Sequence, residues 1–589
     1  TTVTGAQYLL ETDRARVLID CGMFQGGPNE ALRNRVPFAY DPSTIDAMVL
    51  THAHLDHCGL IPHLVNEGYT GPVHATAATI ELATLVLLDS GKLQEEFAKR
   101  EDRWERRNPD KAAKEDVQER AAYEAAVELA ERGEETPDPE SGRESPREPV
   151  PSDAELARAV PPLAASPALS APGTSDTAEH VTTSVAVTTP VAVATPVAVT
   201  RPVGFPAPAA VTTSGPAPDR DPEVALRAQP PEIQVDLDAP LYTADDARRS
   251  LVRFSPVRYD AEVEVAPGVH ATFLDAGHIL GSAIIRIRVA DREGGPELTL
   301  VFSGDLGRPD TPILRDPTVL TDADYVLLET TYGGREHEPS EESIRILTET
   351  IRLVAEHDGV LLVPSFAIGR TQEIVWQLDR LIEAGEIPQL PLYLDSPMAS
   401  KATDIYRRHP EDYDDETRKL LDSGDTPLDY PDQHITNDVE DSKAIARAPR
   451  PYMIVASNGM LTGGRVVAHL RNLIDDPGAT LLFVGYQGEG TLGAHLQAGA
   501  KQVRIDGETR NVRCTIRSIS GFSAHADEPE LLAWVKRFAD GKRGGEPGFP
   551  KRVFLVHGDP DAQQAIEPKV RALGFDTFVP VWRQVVELG

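Results

Sequence analysis

Cysteine is scarce: Cys21, Cys58 and Cys514 are the only three in 589 residues, and none stands in a CxxC spacing. That excludes a disulfide framework and suits a reducing compartment, so the three read as buried small residues. Long apolar runs are missing too, since no window approaches the ~18 to 20 uncharged apolar residues of a membrane span. The opening TTVTGAQYLLETDRARVLID has no basic segment followed by an apolar core, and a cytoplasmic protein without membrane contact is expected. Positive charge is also in deficit, with 58 Lys and Arg against 93 Asp and Glu for a net charge of -35. A broad basic face that binds nucleic acid without selection is thereby excluded. A local site is not, because bound divalent ions concentrate positive charge, and Arg335, Arg370 and Arg465 stand beside glycine turns where they could line a groove.

What the chain does contain is a dense cluster of metal-ligand residues. The run MVLTHAHLDHCGL places His52, His54, Asp56 and His57 within six residues, directly after an apolar stretch. Imidazoles and carboxylates are the usual zinc ligands, and a short loop at a strand end holds them rigidly. With 16 histidines in the chain, three at these offsets arise by chance in roughly 0.01 of such sequences. The cluster predicts a metal site, with two ions as the expected number.

Organisation follows from periodicity and composition. A hydrophobic content of 40% over this length provides for several real cores. Short strands (YLLE, RVLIDCG, AMVLTHAH) precede a helical pattern in ATIELATLVLLDSGKLQEEFAKR. An Ala/Glu/Lys-rich stretch then reads as at most a solvated helix, and from about 136 to 235 Pro, Ala, Thr, Val and Ser dominate, including PVAVATPVAVTRPV. Such composition buries too little apolar surface to offset the entropy of ordering, which predicts disorder, with partner docking as the functional alternative. Beyond LYTADDARRSLVRF, strands and glycine turns return; later GVLLVPSF, LPLYLDSP, RPYMIVASNG and ATLLFVGYQ each precede a helical segment. That alternation predicts a parallel sheet with helices on its faces.

Six further residues of ligand or acid/base type stand at the ends of apolar strands: Asp20, His278, Asp305, Glu329, His525 and His557. Singly each reads as a cap or turn residue; together they suggest strand ends meeting at one site. The ten remaining histidines, among them His63, His74, His434 and His469, lack this setting and read as ordinary.

On these residues the chain resembles the metallo-β-lactamase fold hydrolases, and within them the β-CASP nucleases. It is most similar to the RNA-cleaving branch that bacterial and archaeal ribonucleases share with the endonuclease of eukaryotic mRNA 3′-end cleavage. The likeness covers about 1 to 105 and 238 to 589. It implies an α/β fold, a metallo-β-lactamase αββα sandwich carrying an inserted β-CASP parallel-sheet domain. The expected parts are 1-107, 238-335 and 513-589 for the sandwich, 108-237 for the disordered insertion and 336-512 for the β-CASP domain. Relatives open one strand earlier, so an edge strand is lost or the sequence starts inside the domain.

By the same resemblance one zinc ion takes His52, His54 and His278, the other Asp56, His57 and His557, and Asp305 joins both. Asp20 braces the His52 loop from behind. Water activated at the metals is the nucleophile, so a 5′-phosphate and a 3′-hydroxyl result. His525 is the implied proton donor and Glu329 its orienting partner, and Asp56 counts among the catalytic residues as well as the ligands. RNA-acting relatives carry histidine at the position of His557 where DNA-acting ones typically carry valine. Two loops, SNGMLTGGR and GEGTLG, each lie between a strand and a helix, where free backbone N-H groups can hold phosphates. They nominate Ser457, Gly459, Gly463, Gly464, Gly488, Gly490 and Thr491 as contacts to single-stranded RNA. A homodimer and a protein bound to the Pro-rich segment complete the expected partners. Three rival readings stand beside this one: a thioesterase or lactonase, a DNA-directed nuclease, and a scaffold that has lost its chemistry.

Overall fold

The computed structural model describes residues 4-25, 32-132, 236-290, 292, 295-485, 487-488 and 490-589. Two sheets face each other. The first contains β1 (Tyr8–Glu11), β2 (Arg16–Ile19), β3 (Ala47–Val49), β4 (Val73–Thr76) and β5 (Phe254–Val257), in that spatial order. The second is built from β6 (Glu262–Ala266), β7 (Val269–Asp275), β8 (Ala283–Ala290), β9 (Glu297–Phe302), β10 (Tyr325–Glu329), β19 (Arg552–Val556) and β20 (Thr577–Phe578), ordered β20-β19-β10-β9-β8-β7-β6.

Alternation decides which side chains fill the space between the sheets. In β8 the residues Ile285, Ile287 and Val289 turn inward, meeting Val17, Ile19 and Val49 of the first sheet in one apolar cluster. Arg286 and Arg288 of the same strand turn outward and pair with Asp322 and Glu262. Helices cover both outer faces, which completes the αββα sandwich expected. On the first sheet lies the helix Ala77–Glu105, capped by Thr76 and burying Leu82, Ala83, Val86 and Leu87. On the second lie Glu528–Lys536, which opens with a capping box of Asp527 and Glu530, and Pro560–Ala572.

The inserted sheet is parallel and is made of β11 (Val360–Pro364), β12 (Leu392–Asp395), β13 (Gln433–Ile435), β14 (Tyr452–Ala456), β15 (Ala479–Phe483) and β18 (Thr515–Ser518). Between them, β16 (Gln502–Ile505) and β17 (Glu508–Asn511) form a separate hairpin. Spatial order is β13-β12-β14-β11-β15-β18. Strands 12, 13 and 14 lie on one side of β11, and strands 15 and 18 on the other, so the winding reverses at β11. The insert is anchored on the sandwich: Tyr406 Oη accepts from Leu280 N at 3.2 Å, and Asp414 N donates to Ile313 O at 2.9 Å.

Two features differ from the sequence reading. The stretch Pro109–Arg132, grouped with the insertion and read as at most a solvated helix, is a helix that packs, with Ala126 and Ala130 against Val36 beside Trp582. Alanine buries little area per residue, so this contact leaves almost no hydrophobic signature in the sequence. In addition, β18 pairs with β15 in parallel register, from Thr480 opposite Thr515 to Phe483 opposite Ser518. The inserted sheet therefore extends past the expected boundary at 512. The Pro-rich stretch 136-235 lies outside the described residues. No helix among the described residues is long and apolar enough to cross a membrane.

One buried carboxylate holds the insert together. Asp395, at the end of β12 and fully buried, accepts from His469 Nε2 at 2.6 Å, Ser442 Oγ at 2.5 Å, Arg465 Nη1 at 2.6 Å and Thr436 Oγ1. Burial opposes its charge, yet these donors outweigh burial and hold its carboxyl below the usual range. A depressed folded pKa stabilises above the unfolded value of about 3.9, and that stabilisation is lost as pH falls through the folded value. Asp395→Ala strands a half-buried guanidinium and a buried imidazole, so a loss of about 3 kcal/mol is expected in urea melts. The loss should be full at pH 6 and shrink below about pH 4.

Candidate metal centre

The predicted strand ends meet. Asp20 follows β2, the His52 to His57 loop follows β3, His278 follows β7, Asp305 follows β9, Glu329 ends β10 and His557 follows β19, while His525 leads into the helix Glu528–Lys536. All but Glu329 and Asp20 bring side chains to one buried cluster, and those two stand directly behind it.

Two groups that could each hold a metal ion are present. In the first, His52 Nε2 and His278 Nε2 each lie 3.2 Å from His54 Nδ1, and stand 3.4 and 3.6 Å from Asp305 Oδ2. In the second, His57 Nε2 is 3.1 Å from His557 Nε2, which is 3.6 Å from Asp56 Oδ2. Asp305 Oδ1 faces this second group, 3.2 Å from His57 Nε2 and 3.5 Å from His557 Nδ1. One carboxylate thus divides its two oxygens between two groups. Each group keeps its ligand atoms within 4.8 Å of one another.

Burial and charge fit divalent ions. Apart from Asp56 and His54, which are half-buried, these side chains are almost fully buried, and Asp305 Oδ1 has no hydrogen-bond donor. A carboxylate oxygen left so, aimed among imidazole nitrogens, matches a metal ligand. Burial and the neighbouring His52 push the His54 pKa down to about 3, and burial with His525 lowers that of His278, which keeps these rings neutral and their lone pairs free. Burial also favours a neutral His57, but Asp305 and Asp20 outweigh it and raise its pKa. The second half of the cluster therefore draws positive charge.

Outer partners orient the rings. Asp20 Oδ2 accepts from His57 Nδ1 and from Thr51 Oγ1, both at 2.8 Å, and Asp20 Oδ1 accepts from Thr51 N at 2.8 Å. Thr51 Oγ1 in turn accepts from His52 Nδ1 at 3.0 Å, and Ala524 O accepts from His278 Nδ1 at 3.2 Å. Such partners fix which nitrogen faces the ion. Asp20 and His557 both adopt left-handed backbone, at φ 58° and 49°, a conformation that costs energy for non-glycine residues. Glycines let the loops close: a Cβ on Gly22 would meet Asp56 O at 1.6 Å, and one on Gly307 would meet Gly277 O at 2.0 Å.

Beside the cluster stands a second unit. His525 Nδ1 donates to Glu329 Oε1 at 3.1 Å, and its Nε2 is 4.0 Å from Asp305 Oδ2. Its side chain is 20% exposed, against 1 to 4% for the histidines of the His57 and His278 groups that have ion-pair contacts to Asp305. Glu329 is buried and held by Leu306 N and Thr331 N, each at 3.0 Å. Burial works against a charged His525, but Glu329 outweighs it and raises the pKa.

Sequence reasoning missed several residues here. His337, one of the ten histidines read as ordinary, is buried and donates through Nε2 to His525 O at 3.2 Å, while its ring packs edge-on against Tyr332 at 4.4 Å. Thr51 and Thr331, which serve imidazoles through their hydroxyls, were also passed over, although Thr51 directly precedes His52. Two of the three candidate groove arginines are internal props. Arg465 is held by Asp395 and by Asn437 O, and Arg370 is buried against Glu373. Their place beside glycine turns marks helix starts instead.

The nominated loops sit at the ends of β14 and β15. Ser457 Oγ donates to Ser396 Oγ at 2.9 Å, and Gly463 is open on its Cβ side. Gly464 precedes the helix Arg465–Leu473, and Thr491 caps Leu492–Gln497 by accepting from Ala494 N at 3.1 Å. Gly459 O accepts from Gln487 Nε2 at 3.0 Å, which ties the two loops together around Gly488 and Gly490.

Comparison with known proteins agrees with this arrangement. The metallo-beta-lactamase superfamily matches residues 1-142, the Beta-Casp domain 371-496, and the Zn-dependent metallo-hydrolase RNA specificity domain 509-580. The chain is 31% identical over 572 residues to Ribonuclease TTHA0252 of Thermus thermophilus, an alignment covering 97% of this chain and 93% of that protein. It belongs to the β-CASP metallo-hydrolase ribonuclease family. Transcription termination factor FttA is a further similar protein of this β-CASP group: the Methanosarcina mazei protein is 27% identical over 94% of this chain, which spans 65% of that relative. The Methanocaldococcus jannaschii protein is 25% identical over 97% of this chain and 68% of its own length. As a β-CASP protein the chain is a metal-dependent hydrolase, and both halves of its cluster draw on the segments matched at either end: His52 to His57 fall in the first, His525 and His557 in the last.

Proposed function

We propose that the protein is a zinc-dependent ribonuclease that hydrolyses single-stranded RNA and leaves 5′-phosphate and 3′-hydroxyl ends. The observation that carries this reading is Asp305, whose two oxygens face the two ligand groups while His525 stands 4.0 Å away. His52, His54 and His278 would hold one ion, Asp56, His57 and His557 the other, and Asp305 both. Bound there, zinc supplies Lewis acidity toward a phosphodiester and brings the ionisation of water near neutral pH.

The chain's own residues do the remaining work. Asp20 and Thr51 keep the His57 and His52 rings turned so that Nε2 faces the centre. His525, with Nδ1 held by Glu329, presents Nε2 to the same space and donates a proton to the oxygen that leaves. Glu329 supports the charged form of that ring. RNA is favoured over DNA because His525 and His557 both belong to the segment that matches an RNA specificity domain, and because Ribonuclease TTHA0252 is similar along almost its whole length.

The test combines metal analysis with product analysis on 5′-labelled oligonucleotides. Two zinc ions per chain are expected, together with loss of cleavage on chelation, much faster cutting of RNA than of DNA with the same sequence, and 5′-phosphate on the new ends. One ion or none in active protein would sink the binuclear arrangement. Equal rates on the two polymers would remove the RNA assignment, and activity on thioesters or lactones alone would replace it with the small-molecule reading.

A further inference from the structure

Among the described phenylalanines only Phe97 and Phe366 are exposed, Phe366 at 39%. Phe97 lies on the long helix Ala77–Glu105. Phe366 has a different setting. It stands just after β11, between that strand and the helix Arg370–Glu383. In an open parallel sheet the crevice outside the carboxyl ends of the strands, where the winding reverses, is where ligands settle. Here the reversal falls at β11, with the loops after β14 and β15 on either side.

The ring is held in a defined place. Phe366 O accepts from Thr371 Oγ1 at 2.7 Å and from Thr371 N at 3.2 Å, which fixes the backbone. A Cβ on Gly459 would lie 3.0 and 3.1 Å from Cδ2 and Cε2 of the ring, a tight approach that glycine relieves as the loop after β14 passes. The same glycine's carbonyl is bonded to Gln487 of the loop after β15. At the other end of the short Phe366 loop, a Cβ on Gly369 would meet Ile279 Cγ2 at 2.9 Å, and Ile279 adjoins the ligand His278. An exposed aromatic ring thus lies against the loop after β14, on a short segment whose other end touches the neighbour of His278.

We propose that Phe366 is a stacking platform for a base of the RNA strand near the scissile phosphodiester. This rests on the ribonuclease reading above. Every base offers a π-face, so a single aromatic ring binds single-stranded nucleic acid with little regard to sequence, and its removal weakens binding by about tenfold or more. Stacking also explains why the residue is exposed. An apolar ring of this size is left uncovered where a flat partner must reach it.

The experiment is a cycle between Phe366→Ala and RNA oligonucleotides that each carry one abasic ribose, scanned along the strand. On intact RNA, Phe366→Ala should raise KM about tenfold or more with kcat, zinc content and melting temperature little changed, and Phe366→Trp should retain wild-type KM. At one abasic position the wild type should fall to the level of Phe366→Ala, and the variant should lose nothing further there. Cleavage of intact RNA by Phe366→Ala within about twofold of wild type overturns the proposal. So does an equal additional loss in variant and wild type at every abasic position, since the ring then acts on something other than a base. Wild-type protein that cuts no RNA sinks the ribonuclease reading and stacking together, whereas a vigorous wild type with an indifferent Phe366→Ala sinks stacking alone.

Discussion

Asp305→Ala should abolish RNA cleavage, by more than about 10³-fold, and should lower the content of both metals at once. Every other ligand serves one group; Asp305 alone faces both, through Oδ2 toward His52 and His278 and through Oδ1 toward His57 and His557. Removing it also leaves five imidazoles crowded without the carboxylate that balances them, because His54 and the pair His57 and His557 remain within 3.2 Å of a neighbouring ring nitrogen. The prediction has an internal control in His54→Ala, which should reduce the first ion far more than the second. Metal analysis of the two purified variants checks it. An Asp305→Ala protein that keeps both ions, or that loses only one, would show that the carboxylate is not shared.

His525→Ala should lose roughly 10²- to 10⁴-fold in rate while both metals stay bound. The ring is turned toward Asp305 at 4.0 Å, beyond the distances of the ligand groups, and its other nitrogen is committed to Glu329. A proton donor in that position affects the step in which the leaving oxygen departs, not the assembly of the centre. Glu329→Gln should show a milder loss of the same kind, since the amide still reaches Nδ1 without the charge that supports the protonated ring. Zinc lost from purified His525→Ala would make the residue a ligand, and unchanged rates would remove it from the reaction.

The parts of this centre that were legible in the sequence are those whose chemistry is carried by residue type at a strand end. His52, His54, Asp56 and His57 declare themselves because four ligand-type side chains within six residues have few other uses. His278, Asp305, His525 and His557 are individually ambiguous and gain meaning only from the company of that cluster. His337 was not legible: its role depends on reaching the backbone carbonyl of residue 525, a contact made across 188 positions that leaves no local pattern. The arginines misled for a related reason. Arg465 stands beside glycines, but its partner Asp395 is 70 positions away, and a sequence does not show which charges are already paired. The fold followed the same division. Strand-helix alternation announces a parallel sheet, yet the capture of β18 by β15 is a choice between two sheets that the residues TIRS do not express. The packing of the helix Pro109–Arg132, read as at most solvated, escaped because alanines pack without advertising themselves as core.

The contact between His57 and His557 spans 500 positions at 3.1 Å. Synthesis runs from the first of these to the second, so the histidine that completes the second group is added 500 residues after its partner. A chain interrupted between the end of β18 and His557 carries the first group and the insert, but only Asp56 and His57 of the second group. If both groups are needed for hydrolysis, activity is expected only from chains that extend at least as far as His557, which assays of C-terminally truncated protein would check.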